Sequence, residues 1–385
     1  MKIRTRLATA GGTALAAGAL LAAPFAAPAS ADSVSASHAA AYRAEPPVFV
    51  QSDNVDGNTV VAYNRAADGT LSQAGVYPTG GLGGVLAGSV VDHLASQGSL
   101  SYDAASRQLF AVNAGSDSIT VFDVRGSDLR QRQVIGSGGS FPVSVTVHGD
   151  AVYVLNARNG GSIQGYLRIG GGLLRVPSWN RSLGLDSTLT PEFTHTPGQV
   201  AFTPDGSKLV VTTKANGNNI DVFAVNRFGA ISSAPVVTPQ PDAVPFAVAF
   251  DARGRLSVAE AGPSAIARFR IARDGSLTPV DLTPTGQKAT CWIATTGRST
   301  FTGNAGSATV SGYRSQHGTL TATGLTSTDA GTVDSAASSD GRYLYTQTGA
   351  AGIVDEFAIN HDGTLTAIGS VTVPGGAGGE GIAAL

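Results

Sequence analysis

VAFTPDGSKLVVTTKANGNNIDVFAVNRFGAISSAPVV, residues 200–237, contains four short β-prone runs separated by turn residues. VAFT and KLVVTT flank Pro204-Asp205-Gly206; NIDVFAV follows a short connection through Asn216-Gly217; AISSAPVV follows Phe228-Gly229. Apolar runs broken by Asp-Gly and related glycine turns mark antiparallel hairpins. The stretch therefore predicts one four-stranded antiparallel unit. Its aspartates are turn formers, as are those at Asp274-Gly275, Asp340-Gly341 and Asp362-Gly363. A further turn is expected at His317-Gly318.

The third run closes on Phe223, and the same ending recurs along the chain. Tyr63, Phe122, Tyr166, Phe223, Phe269, Tyr313 and Phe357 each end a short aliphatic run. Four of the six intervals are about 44 to 46 residues and two are about 13 longer, a period in the range of propeller blades. An open solenoid or a pair of sandwiches also uses short strands, but solenoids usually have shorter repeats and sandwiches do not predict seven aromatics in one register. Blade one, starting at Val48, lacks an innermost strand, and the chain ends on an unmatched apolar piece, Gly381 to Leu385. The expected fold is all-β: a seven-bladed β-propeller over 48–385, its ring closed by a C-terminal strand that completes the first blade. Closure removes the exposed edges of a linear array.

Residues 1–31 read as an export signal of the general secretory type. Lys2, Arg4 and Arg6 precede an apolar centre from Thr13 to Phe25, and Ala29-Ser30-Ala31 supplies the cleavage site. Residues 32–47 read as a flexible leader. A secreted, monomeric protein is expected. Gly18 and Pro24 interrupt the apolar run, which is too short to span a bilayer. Cys291 is the only cysteine and sits in an apolar run, so packing and not disulfides must hold the fold. Net charge is −2, which gives no footprint for nucleic acid or anionic lipid. The expected partner is a small molecule.

In a four-stranded blade, the link to the next blade and the connection between the second and third strands share one face. The two long stretches, Gly80 to Ser96 and Ser187 to Thr196, are both interblade links, so both insertions belong to that face. Long loops on a rigid scaffold are where function concentrates. The second strands end there on Gln51, Asn113, Asn156, Lys214, Glu260, Asn304 and Gln347, and residues entering the inner strands add Gln97, Gln199, Lys288, Asp334 and Glu380. Together they predict a polar funnel at a channel mouth, a default ligand site. Glu260, in the apolar setting Val258 to Ala261, is the expected general base, and Lys214 or Lys288 the group that polarises a carbonyl. An ion pair between Glu260 and Lys214 is the structural alternative. Gln97, Asn113, Asn156, Gln199, Lys288, Asn304 and Asp334 are the expected ligand-binding residues. No resident cofactor is expected, although the oxygens of Asn113, Asn156, Glu260, Asn304 and Asp334 would suit calcium. The scattered histidines lack zinc spacing, and no nucleophile elbow, phosphate loop or dinucleotide fingerprint occurs.

PVSVTVHGDAVYVLNA (142–157), VAFTPDGSKLVVTTK (200–214), PFAVAFDARGRLSVAEA (245–261) and SSDGRYLYT (338–346) resemble the seven-bladed lactonase-family propellers. That family includes propeller-type phosphogluconolactonases and carboxymuconate-lactonising enzymes. The resemblance implies hydrolysis or cyclisation of a small lactone at the channel mouth, where family enzymes gather His, Glu and Arg side chains. An Arg-His pair often precedes an inner strand there; this chain has Pro197-Gly198-Gln199 instead. Glu260 and Lys214 keep matching roles. Similar strings occur in surface-layer propellers, which implies the alternative of a non-catalytic extracellular propeller that binds a small ligand, glycan or cell-wall component.

Overall fold

The computed structural model describes residues 45–251, 253–316 and 318–385. The signal, its cleavage site and the turn residue His317 lie outside the described residues. Seven separate four-stranded antiparallel sheets succeed one another along the chain, and their inner strands pack blade against blade. Blade four runs Pro197–Phe202, Lys208–Thr213, Asn219–Ala224 and Val236–Pro239. The first blade takes its innermost strand from Ile382–Ala384, which pairs antiparallel with Val48–Gln51. The ring is closed as the sequence predicts.

The recurring aromatics explain the uniform plan. All seven are buried on the third strand of their blade. In blades one, two, three, five, six and seven the pairing of third with fourth strand shifts register at this position, as between Ala62 and Tyr63 or Glu356 and Phe357. A bulge adds local twist. The aromatic ring packs against the neighbouring blade, as Tyr63 does in one cluster with Tyr345 and Phe122 in another with Phe49. Blade four has no such shift, and here the structure departs from expectation. Its outer strand is Val236–Pro239 and not Ala230 to Val237; only an isolated bridge, Val225 to Ile231, forms earlier. Pro235, which lacks an N–H, separates the two pieces.

The propeller also begins slightly earlier than predicted. Glu45 receives hydrogen bonds from Arg65 (3.0 Å) and Arg342 (3.2 Å), and Leu385 N donates to Pro47 O. Residues 45–47 therefore belong to the folded body. Cys291 is buried, and burial pushes its thiol up to about 12, so it serves as a small apolar side chain. No helix among the described residues is long and apolar enough to cross a membrane.

Candidate functional site

Both insertions lie on one face and touch each other. Ala87 N donates to Glu192 Oε2 (2.8 Å) and Phe193 N donates to Ala87 O (3.3 Å). Arg158 joins them: Nε donates to Glu192 Oε1 (2.6 Å), and Nη2 to Glu192 Oε2 (3.0 Å) and Val85 O (3.2 Å). The Arg158 guanidinium lies over the Phe141 ring at 4.2 Å. Charge-assisted bonds of this bidentate kind fix geometry as well as adding energy.

The end of the first insertion crosses the ring and corrects the picture of an open funnel. Lys214 Nζ in blade four donates to Ala95 O, and Trp292 Nε1 in blade six donates to Ser96 O (2.8 Å). Gln97 pairs both ways with Ile293, Nε2 to its carbonyl (3.0 Å) and Oε1 from its N–H (2.9 Å). Ser96 Oγ donates to Val143 O (2.9 Å) in blade three, and His93 N to Gly378 O (2.9 Å) near the closing strand. The segment 92–98 is thus tied to blades on opposite sides of the ring.

Acidic groups anchor that segment. Asp92 accepts from Leu94 N (2.8 Å) and Ser96 N (3.0 Å). Glu380 accepts from Gly98 N (2.8 Å), Ser99 N (3.4 Å) and Ser96 Oγ (3.3 Å). Asp53 accepts from Glu380 N (2.8 Å), and Asp334, a neighbour of the Glu380 carboxyl, from Ile382 N (3.3 Å). All four carboxyl groups are buried. Burial raises Asp53 and Asp334 to about 7 and Asp92 to about 6; burial and the neighbouring acids raise Glu380 well above the ordinary range.

The residues predicted as a site are distributed as follows. Lys214 is 1 % exposed, lies over the Phe246 ring at 5.2 Å, and is held low, at about 7, by burial. Its amine serves the crossing segment, and the structural alternative of an ion pair with Glu260 is corrected: among the described residues no ion pair joins them. Glu260 is 4 % exposed at the end of strand Leu256–Glu260, and its carboxylate has no hydrogen bond or ion pair among the described residues. Burial alone raises it to about 7. Lys288, entering the next blade, is exposed. Asn113 is spent within its neighbourhood, donating to Ser118 and Thr120 and accepting from Asn58. Asn304 likewise accepts from Thr290 and donates to Thr309 and Ser311. Asn156 donates to Ser137 O and Ser162, leaving its buried Oδ1 unpaired. Gln199 Oε1 accepts from Val248 N (2.6 Å), clamping blades four and five. Among the described residues no three His, Cys, Asp or Glu side chains converge as a metal-ligand set.

Sequence reasoning missed Asp53, Asp92, Arg158, Glu192 and His195. The usable signal was that both insertions share one face, which puts their charged residues within reach of one another.

No protein-family model matches the chain, and no curated protein does. Solved structures do. A candidate 6-phosphogluconolactonase of Bacteroides fragilis superposes with a TM-score of 0.67 at 18% identity, covering 89% of this chain and 98% of that one. A second, from Bacteroides uniformis, gives 0.70 at 15% identity over 89% and 99%. The Pseudomonas aeruginosa periplasmic gluconolactonase gives 0.70 at 17% identity over 88% and 98%. At these identities the likeness is one of fold, and this chain has the complete seven-bladed ring of those proteins.

Proposed function

We propose that the chain is an exported, monomeric propeller that hydrolyses a small lactone, with Glu260 as general base. The observation that carries this reading is the unpartnered state of Glu260. A largely buried carboxylate without a hydrogen-bonding or ionic partner costs stability, whereas a base raised to about 7 is matched to proton transfer near neutrality. Glu260 would take a proton from water as its oxygen attacks the lactone carbonyl. The tetrahedral intermediate then expels the ring oxygen, and the protonated Glu260 returns the proton to that leaving group. Lys288, the exposed cation entering the adjacent blade, is the group assigned to stabilise the carbonyl oxygen, because Lys214 is committed to Ala95. The fold shared with a periplasmic gluconolactonase supports the substrate class, and the signal-like residues 1–31 support export with cleavage after Ala31.

A second reading, a non-catalytic propeller that binds a small ligand, is favoured by the segment 92–98, which occupies the mouth. The deciding experiment is turnover of a panel of sugar and aromatic-acid lactones by wild type and Glu260→Gln. Activity lost in the variant at unchanged melting temperature supports the enzyme; wild-type protein inactive across the panel removes it and leaves the binding module.

A further inference from the structure

A cavity of about 230 Å³ opens beneath the second insertion, lined from blades three and four and the link between them, and Glu260 of blade five is not in its lining. Its lining includes Arg158, Asp186, Glu192, His195 and Asn216. With about 30 Å³ per water, this volume would hold about eight waters, comparable to one sugar-sized ring. Its walls are fixed. Asn216 accepts from Asp186 N (3.3 Å) and donates to Asp186 O (2.8 Å) and His195 O (3.1 Å), which clamps both ends of the insertion. Arg158 is held by Glu192 and by the Phe141 face.

Two lining groups have hydrogen-bonding capacity left over. His195 Nδ1 lies 2.8 Å from Pro191 O and 2.9 Å from Thr194 Oγ1, whose own proton goes to Pro191 O (3.0 Å). A carbonyl oxygen only accepts, so in the neutral ring Nδ1 carries the proton and Nε2 is left with its lone pair. Nε2 has no partner among the described residues. Arg158 spends Nε and Nη2 on Glu192 and Val85, while its Nη1 has no partner among the described residues. One acceptor and one double donor therefore border the same cavity. The charges there are Arg158, matched by Glu192, and Asp186, which Thr188 satisfies. The balance is slightly negative, unsuited to a phosphate or a carboxylate.

We infer that this cavity binds a neutral polyhydroxylated ring of monosaccharide size, a ring hydroxyl donating to His195 Nε2 and a ring or carbonyl oxygen accepting from Arg158 Nη1. The site does not depend on the Glu260 reading, and it gives the propeller a carbohydrate subsite next to the mouth.

The test uses the whole protein labelled with ¹⁵N-histidine and titrated with 1,5-anhydroglucitol, a neutral and unreactive pyranose, alongside gluconate. The expected result is a saturable shift of the His195 Nε2 resonance with the pyranose, at least about tenfold weaker binding of gluconate, and loss of about tenfold or more in affinity in His195→Ala, the worth of one hydrogen bond. Glu260→Gln should bind the pyranose as wild type does. No Nε2 shift up to the solubility of the pyranose, or gluconate binding as tightly as the pyranose, would overturn the inference. Binding abolished by Glu260→Gln but retained in His195→Ala would move the ligand to the other site and equally overturn it. Because His195→Ala also removes the bond to Pro191, the Nε2 shift in unmodified protein is the primary readout.

Discussion

The buried carboxyl groups of Asp334 and Glu380 neighbour each other where the seventh blade meets the closing strand, Asp334 accepting from Ile382 N (3.3 Å). Two ionised carboxylates held beside each other away from water repel, so burial and this proximity favour the protonated forms. Both groups titrate above the ordinary carboxylate range, so the folded protein holds protons that the unfolded chain has already lost. The folded state binds more protons, and stability must fall as pH rises. The window runs from about pH 4, where unfolded carboxyls ionise, to about 7, where Asp334 does. The melting temperature should therefore be higher at pH 5 than at pH 7.5, and Glu380→Gln should flatten the slope. A profile that rises with pH would show that these acids are ionised in the folded protein.

The second prediction concerns the crossing segment. Lys214→Met keeps most of the side-chain volume but leaves Ala95 O without its donor and removes the cation nearest Asp92. Loss of a buried charged hydrogen-bond partner costs about 2 to 4 kcal/mol. The cost should appear locally first, as faster limited proteolysis between residues 85 and 98. Cleavage elsewhere, or unchanged cleavage and melting temperature, would show that Lys214 does not hold the segment.

These contacts also show what the sequence could and could not disclose. The blade plan was legible because each blade repeats one local device, an aromatic at a bulge, and a local device leaves a local pattern. Ring closure was legible because blade one lacked a strand and the C-terminus offered one. The outer strand of blade four was placed too early because AISSAPVV has strand composition, while Pro235 breaks the pairing that composition suggested. Glu260 was visible as a charge in an apolar run. The fate of Lys214 was not, since Ala95 and Lys214 are 119 residues apart and nothing near either one encodes the contact. Asp92 and Arg158 sit at the edges of links without periodicity, so only the folded ring brings their partners to them.

The third prediction tests closure. Deleting Gly381 to Leu385 removes the pairing of Ile382–Ala384 with Val48–Gln51 and the bond from Ile382 N to Asp334. Burial of Ile382 alone is worth about 1.5 to 3 kcal/mol, and the deletion also exposes a strand edge. Against a total of roughly 5 to 15 kcal/mol, the whole ring should lose stability cooperatively, seen as one transition shifted downward in calorimetry. A truncated protein melting within about a degree of the full chain would mean the first blade does not need its C-terminal strand.

The last prediction separates a base from a structural carboxylate at Glu260. Burial without any partner raises Glu260 to about 7, so the folded state again favours the protonated form, and Glu260→Gln removes only a group whose ionisation costs stability. The variant should be as stable as wild type at pH 5 and equal or slightly more stable at pH 8. Lactone turnover has the opposite dependence. A general base must be ionised, so kcat/KM for an active lactone should rise with pH and level off above an apparent pKa near 7, and Glu260→Gln should lose that limb together with roughly 10² to 10⁴ of the rate. Loss of rate with the pH limb retained would assign the titration to another group. Loss of stability at pH 8 would instead give the carboxylate a structural role, because an amide can replace its shape but not a charge the fold relies on.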